Sequence, residues 1–148
     1  MFEFFKKLFK KDNQEQSLID TLKKDHQKLI EVYTKISNAI NKDDFEQTKI
    51  LVKEFVGEYN KHILLEDVEL YVALEEKYKE KKQILRTIKT IEKDMNNITK
   101  TITFFERKYK EITPNNKDLF LEEFRNIGRV LTQRVELEEE RLYPLLHK

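Results

Sequence analysis

Residues 58–74 read EYNKHILLEDVELYVAL, and they set His62 and Glu66 four residues apart, so that on a helix both side chains leave the same face. Working back from that pair, Phe45, Thr48, Val52, Phe55 and Tyr59 precede it at alternating steps of three and four. That is the period of a buried helical seam. An imidazole and a carboxylate in such a seam are costly unless they are paired or bound. The fold class and the candidate chemistry both follow from this stretch.

Three further segments repeat the pattern. Before it, Leu18, Leu22, His26, Leu29, Tyr33, Ile36 and Ile40 form a first seam, with Ser17 as its expected N-cap and His26 pointing inward. NKDD at 41–44 separates the two helices, Asn41 and Asp43 ending one and capping the next. The second helix is expected from about residue 44 to 74 or slightly beyond, and Gly57 inside it marks a close backbone approach. The charged run 75–83 is the turn to a third helix, whose seam runs from Ile84 through Ile91, Met95 and Ile102 to Ile112 with no His, Asp or Glu in it. ITPNNKD at 112–118 ends that helix, since proline biases its predecessor out of the helical region. A fourth helix over about 117–146 carries Phe120, Phe124, Ile127, Leu131, Arg134, Glu138, Leu142 and Leu145 inward.

The expectation is an all-α, up-down-up-down antiparallel four-helix bundle over residues 17–148, preceded by a short amphipathic arm over residues 1–16. No internal repeat stands out. The arm alternates Phe2, Phe4, Phe5, Leu8 and Phe9 with lysines, a pattern for a packed or frayed end, or for weak membrane contact through residues 2–11.

Composition narrows the function classes. Two glycines and two prolines in 148 residues are too few for a turn-rich β fold. A net charge of +1 lacks the basic excess of a nucleic-acid binder, so no direct nucleic-acid contact is expected. There is no cysteine, which removes disulfides and thiolate chemistry and fits the cytoplasm. No apolar run is long enough to span a bilayer, and the N-terminus lacks the pattern of a secretory signal. No nucleophile–base pair or glycine-rich phosphate loop appears, so the chain is not expected to be an enzyme.

The polar residues on the seams are His26, His62, Glu66, Arg134 and Glu138. In an antiparallel bundle, two imidazoles and two carboxylates from three helices meet at one end. Such a set suits one iron ion, with manganese or zinc as alternatives. Arg134, one turn before Glu138, opens a rival reading: its guanidinium supplies the cation's charge, and no metal is bound.

KDHQKLIEVYTKI at 24–36, HILLEDVELY at 62–71 and RVELEEERLYPLL at 134–146 resemble the hemerythrin-like, HHE cation-binding family of four-helix bundles. That resemblance places His26, His62 and Glu66 on ligand positions of one iron, and Glu138 on a carboxylate bridge. It implies a second iron whose ligands are missing here, because the third helix offers no histidine and Arg134 stands where the fourth should supply one. A sensory or regulatory protein is implied, and not an oxygen carrier. Segments 18–36, 104–109 and 124–146 are also similar to the bacterial regulator-of-sigma-D family of anti-sigma proteins. There Ile127-Gly128-Arg129-Val130-Leu131 before Arg134 and Glu138-Glu139 would carry the likeness, and the implied partner is the housekeeping sigma factor or another regulatory protein. Oligomeric state is left open by either resemblance.

Overall fold

The computed structural model describes residues 2–147, with side chains from residue 13 onward. Helix α1 spans Phe2–Asn41 and α2 spans Phe45–Leu65. A π-helical turn at Glu66–Leu70 joins α2 to α3, Tyr71–Lys77, so that the three make one second rod. Helix α4 is Lys82–Lys108. The fourth rod is α5, Lys117–Leu137, followed by a π turn at Glu138–Leu142 and a 3-10 turn at Tyr143–Leu146. Among the described residues there is no strand.

Local chemistry sets the ends. Asp43 takes a left-handed conformation (φ 58°), and Asp44 caps α2 by accepting from the Gln47 N–H at 3.1 Å, one residue later than the cap expected from sequence. Ser17 does not start a helix. It lies inside α1, which continues back to Phe2, so the backbone of residues 2–16 extends the first rod. The Phe/Lys face expected there lies outside the described side chains. Helix α4 ends at Lys108, ahead of Pro114, with Arg107 and Lys108 on its negative C-terminal pole. In the following turn Asn116 accepts from the Thr113 N–H and donates to the Glu111 carbonyl.

The rods run antiparallel to their neighbours. His26 meets Glu138 and Tyr33 meets Phe124 across the first and fourth rods. Tyr59 meets Thr99 across the second and third. At the far end the Lys77 ammonium donates to the Leu146 carbonyl and the Tyr78 hydroxyl to the Leu145 carbonyl, which ties the second rod to the end of the fourth.

The core has two apolar parts. One is built from residues such as Val32, Ile36, Phe55, Ile102, Phe120 and Phe124, near the 41–45 connection. The other gathers Ile19, Leu22, Leu70, Leu74, Ile88 and Leu142 near the 78–81 turn. His26, His62, Glu66, Arg134 and Glu138 are buried between them. The polar layer is therefore flanked by apolar residues on both sides, and is not at one end of the bundle.

The close backbone approach expected at Gly57 is found at Gly128 instead. A Cβ at Gly57 would meet nothing within 4 Å. At Gly128 it would collide with the Tyr33 hydroxyl, which crosses the Gly128 backbone to donate to the Phe124 carbonyl at 2.9 Å.

Candidate metal centre

Each polar side chain reaches the layer because it continues an apolar stripe. His26 follows Leu22 one turn on, and His62 follows Tyr59, so burial of the stripe carries the imidazole inward. Their ring centroids lie 4.7 Å apart. Glu66 and Glu138 sit one turn after His62 and Arg134 and are each no more than 1% exposed.

The two imidazoles are held alike. His26 Nδ1 lies 2.6 Å from Glu139 Oε2, and His62 Nδ1 lies 3.1 Å from Asp25 Oδ2. A carboxylate on Nδ1 fixes a proton there, which leaves the unpartnered Nε2 of His62 as a lone pair aimed inward, whereas His26, with carboxylates on both nitrogens, donates from each when it is protonated. His26 Nε2 is 2.8 Å from Glu138 Oε1, and His62 Nε2 is 3.6 Å from both Glu66 Oε1 and Glu138 Oε1. Donor atoms of His26, His62 and Glu138 all fall within 4.8 Å of one another. Two buried atoms here, His62 Nε2 and Glu66 Oε1, have no hydrogen-bond partner. Both are lone-pair donors on the same small space, so the donor set fits one cation.

It does not fit two. Glu138 turns Oε1 toward the imidazoles and Oε2 toward Arg134, whose Nε donates at 2.9 Å. The guanidinium also donates to the Ile91 carbonyl and to the Tyr71 hydroxyl, each at 2.9 Å. Arg134 thus occupies the side of Glu138 opposite the imidazoles with a permanent charge, and α4 contributes a backbone carbonyl there and no ligand side chain.

The ionisation equilibria follow from this arrangement. Burial would push Glu138 up, but His26, His62 and Arg134 around it win and hold it well below the usual carboxylate range. Burial, reinforced by the charge of Glu138, pushes Glu66 far above that range, so in the metal-free protein it is the protonated member of the pair. Burial lowers His26, yet Glu138 and Glu139 on its two nitrogens outweigh it and raise it overall.

The residues picked from the sequence, His26, His62, Glu66, Glu138 and Arg134, lie in one layer. The sequence reading missed four others: Asp25 and Glu139, which anchor the imidazoles, and the tyrosines Tyr71 and Tyr143. Tyr143 places its hydroxyl 3.0 Å from Glu66 Oε2 and 3.2 Å from Glu138 Oε1. A signal for both tyrosines was present. Glu66 and Glu138 are each followed by Leu-Tyr at the fourth and fifth positions and by Leu three further on, so that, against the expectation of no internal repeat, a short one starts at His62 in one rod and Arg134 in the other.

A scan against family models matches the hemerythrin HHE cation-binding domain over residues 17–146. Searches of curated proteins and of solved structures give no match. The anti-sigma likeness gains nothing from these comparisons. With the family model covering nearly the whole helical bundle and the polar layer in its interior, the chain belongs to the hemerythrin HHE cation-binding domain family.

Proposed function

We propose that this protein binds a single metal ion between His26, His62, Glu66 and Glu138, and that it acts as a sensory or regulatory protein and not as an oxygen carrier or an enzyme. Iron is the ion that best suits two imidazoles with two carboxylates, with manganese and zinc as the competing ions. One observation carries the reading: His62 Nε2 and Glu66 Oε1 are buried, unpartnered and adjacent, while the outer nitrogen of each imidazole is already held by a carboxylate. When bound, such an ion supplies a Lewis-acid or one-electron redox centre. The chain itself supplies orientation, exclusion of water, and the fixed guanidinium charge of Arg134, which takes up the second face of Glu138. A lone ion with that face blocked lacks the paired metals an oxygen-carrying site would use.

The metal-free network is the second reading, and the 2.9 Å Arg134–Glu138 pair with the 2.8 Å His26–Glu138 contact favours it. Elemental analysis of protein purified without chelator separates the two. The wild type is expected to hold up to one equivalent and His62→Ala to lose most of it. Less than about a tenth of an equivalent in the wild type would leave the salt-bridged network as the answer. Binding to a sigma factor is the weaker regulatory proposal, since Arg134 and Glu138, two of the residues that carry that likeness, are buried and engaged in the core. A complex with sigma factor that forms equally with and without chelator would revive it.

A further inference from the structure

Tyr143 is 1% exposed, and its hydroxyl faces the centre of the ligand cluster. It lies 3.2 Å from His26 Nε2, 3.0 Å from Glu66 Oε2 and 3.2 Å from Glu138 Oε1, which are groups from the first, second and fourth rods. A phenol has one proton and can donate to only one of the three. In the metal-free protein, protons on Glu66 and His26 fill the other two contacts, and burial with the charges of Glu138 and Glu66 pushes the Tyr143 hydroxyl far up, so protons stand where a bound cation would replace them. The spacing is itself informative. Around one octahedral ion with bonds of about 2.0–2.1 Å, adjacent donors stand about 3 Å apart. The three Tyr143 contacts match that edge, and so does the 2.8 Å from His26 Nε2 to Glu138 Oε1. His62 Nε2 stands slightly wider, at 3.6 Å from each carboxylate.

We propose that Tyr143 is a phenolate ligand of the bound ion, and that the site is thereby built for ferric iron over a divalent ion. The inference rests on the cation-binding reading above. Three anionic oxygens with two imidazoles form a hard donor set, and each anion attracts a trivalent ion more strongly than a divalent one. The chemistry balances without electron transfer: the phenolic O–H bond breaks, an O–Fe bond forms, the proton leaves to solvent and the iron stays ferric. Tyr71 gives the contrast within the site. It occupies the equivalent place after Glu66, but its hydroxyl accepts from Arg134.

The full chain, stripped of metal and titrated with ferric citrate, tests this by its visible spectrum. A phenolate on ferric iron gives a charge-transfer band in the visible, whereas carboxylate and imidazole alone do not. Wild type and Tyr33→Phe, whose hydroxyl bonds the Phe124 carbonyl away from the polar layer, are expected to take up one equivalent and turn coloured. Tyr143→Phe is expected to bind iron at least tenfold more weakly and to stay without the band when loaded. Iron bound by wild type with no such band overturns the phenolate and leaves the cation reading standing, whether or not Tyr143→Phe folds. A band that persists in loaded Tyr143→Phe overturns it too. Wild type that takes up no ferric, ferrous, manganese or zinc ion overturns both.

Discussion

Glu66 and Glu138 each open a π-helical turn, on two rods that run parallel, and each turn closes with Leu-Tyr: Leu70-Tyr71 and Leu142-Tyr143. A π turn carries one more residue than the α-helix it interrupts, and such turns concentrate at functional sites. On a regular helix Leu70 and Leu74 share a stripe with Glu66, but Tyr71 would stand about 140° round from it; the extra residue lets Tyr71 be buried with the other three. Removing the surplus residue should therefore restore a plain helix and spoil the site. Val68 is 60% exposed within the turn, so deleting it costs little packing. We expect the deletion variant to keep its helical circular dichroism and to lose at least about tenfold in metal affinity, roughly 1.4 kcal/mol. Unchanged affinity by calorimetry would mean that the π turn is incidental.

Arg134 is the cation that the protein carries with it. Its removal leaves Glu138 buried among acceptors and strips partners from the Ile91 carbonyl and the Tyr71 hydroxyl. Arg134→Met should cost about 3–5 kcal/mol near neutral pH in the metal-free protein, the usual range for breaking one side of a buried pair. The sign of its pH dependence follows from Glu138. That carboxylate is held below its ordinary value, so it contributes stability above its unfolded pKa that is lost as pH falls through the folded one. Without Arg134 there is less to lose. The gap between variant and wild type, measured by urea denaturation, should narrow toward acid pH.

Asp25 and Glu139 are about 30% exposed and touch the cluster only through the outer imidazole nitrogens. Glu139→Gln and Asp25→Asn should each weaken metal binding by about 10–100-fold while changing the fold little, because they loosen the orientation of His26 and His62. Competition titration against a coloured chelator measures this directly. Equal affinity in all three proteins would demote both carboxylates to ordinary surface partners.

The two glycines give a packing test away from the site. Gly57→Ala adds a methyl to an open helical face and should stabilise by about 0.5–1 kcal/mol from backbone entropy alone. Gly128→Ala drives its Cβ into the Tyr33 hydroxyl, threatening its bond to Phe124 and its stack on the Phe124 ring at 4.1 Å. It should destabilise by about 1–3 kcal/mol. Thermal melts of the pair should move in opposite directions.

The bundle and its polar layer were legible because burial of a helical stripe is periodic, and His26, His62, Glu66, Arg134 and Glu138 fall on stripe positions. What periodicity hides is any residue that leaves the period. Beyond Glu138 the regular step selects Leu145, but the π turn advances the phase and buries Tyr143 and Leu146 instead. Tyr71 is displaced from a regular stripe in the same way. Asp25 and Glu139 were missed for a different reason: each is adjacent in sequence to a buried residue and reads as a solvated charge, although its oxygen reaches an imidazole from the rim. The start of α1 at Phe2 was missed because Ser17 has the chemistry of a cap, and nothing local shows that the helix runs through it.

Glu66 sets stability against binding. In the metal-free protein its carboxyl is raised by burial first and the charge of Glu138 second. A group raised on folding contributes stability that is complete below its unfolded value, ordinarily 4.5, and is lost as pH rises through the folded one. His26, raised by Glu138 and Glu139, acts in the same sense at higher pH. Groups facing Glu66 from the other rods are the Tyr143 hydroxyl, the Glu138 carboxylate and, beyond it, the Arg134 guanidinium, with His62 on its own rod. Glu66→Gln keeps the shape and removes the titration. The metal-free variant should match wild type near pH 4 and exceed it by about 1–3 kcal/mol near pH 8, where wild type must either ionise a buried acid or hold its proton against the solution. The same substitution should weaken the metal, because a neutral amide replaces an anionic oxygen. For wild type, an ion that takes Glu66 and His26 as ligands must also displace their protons, so affinity should rise with pH. Calorimetry in buffers of different ionisation enthalpy should then find about one proton or more released per ion near neutrality. A Glu66→Gln protein that is no more stable at pH 8, together with proton-neutral binding by wild type, would show that Glu66 is already ionised in the empty site.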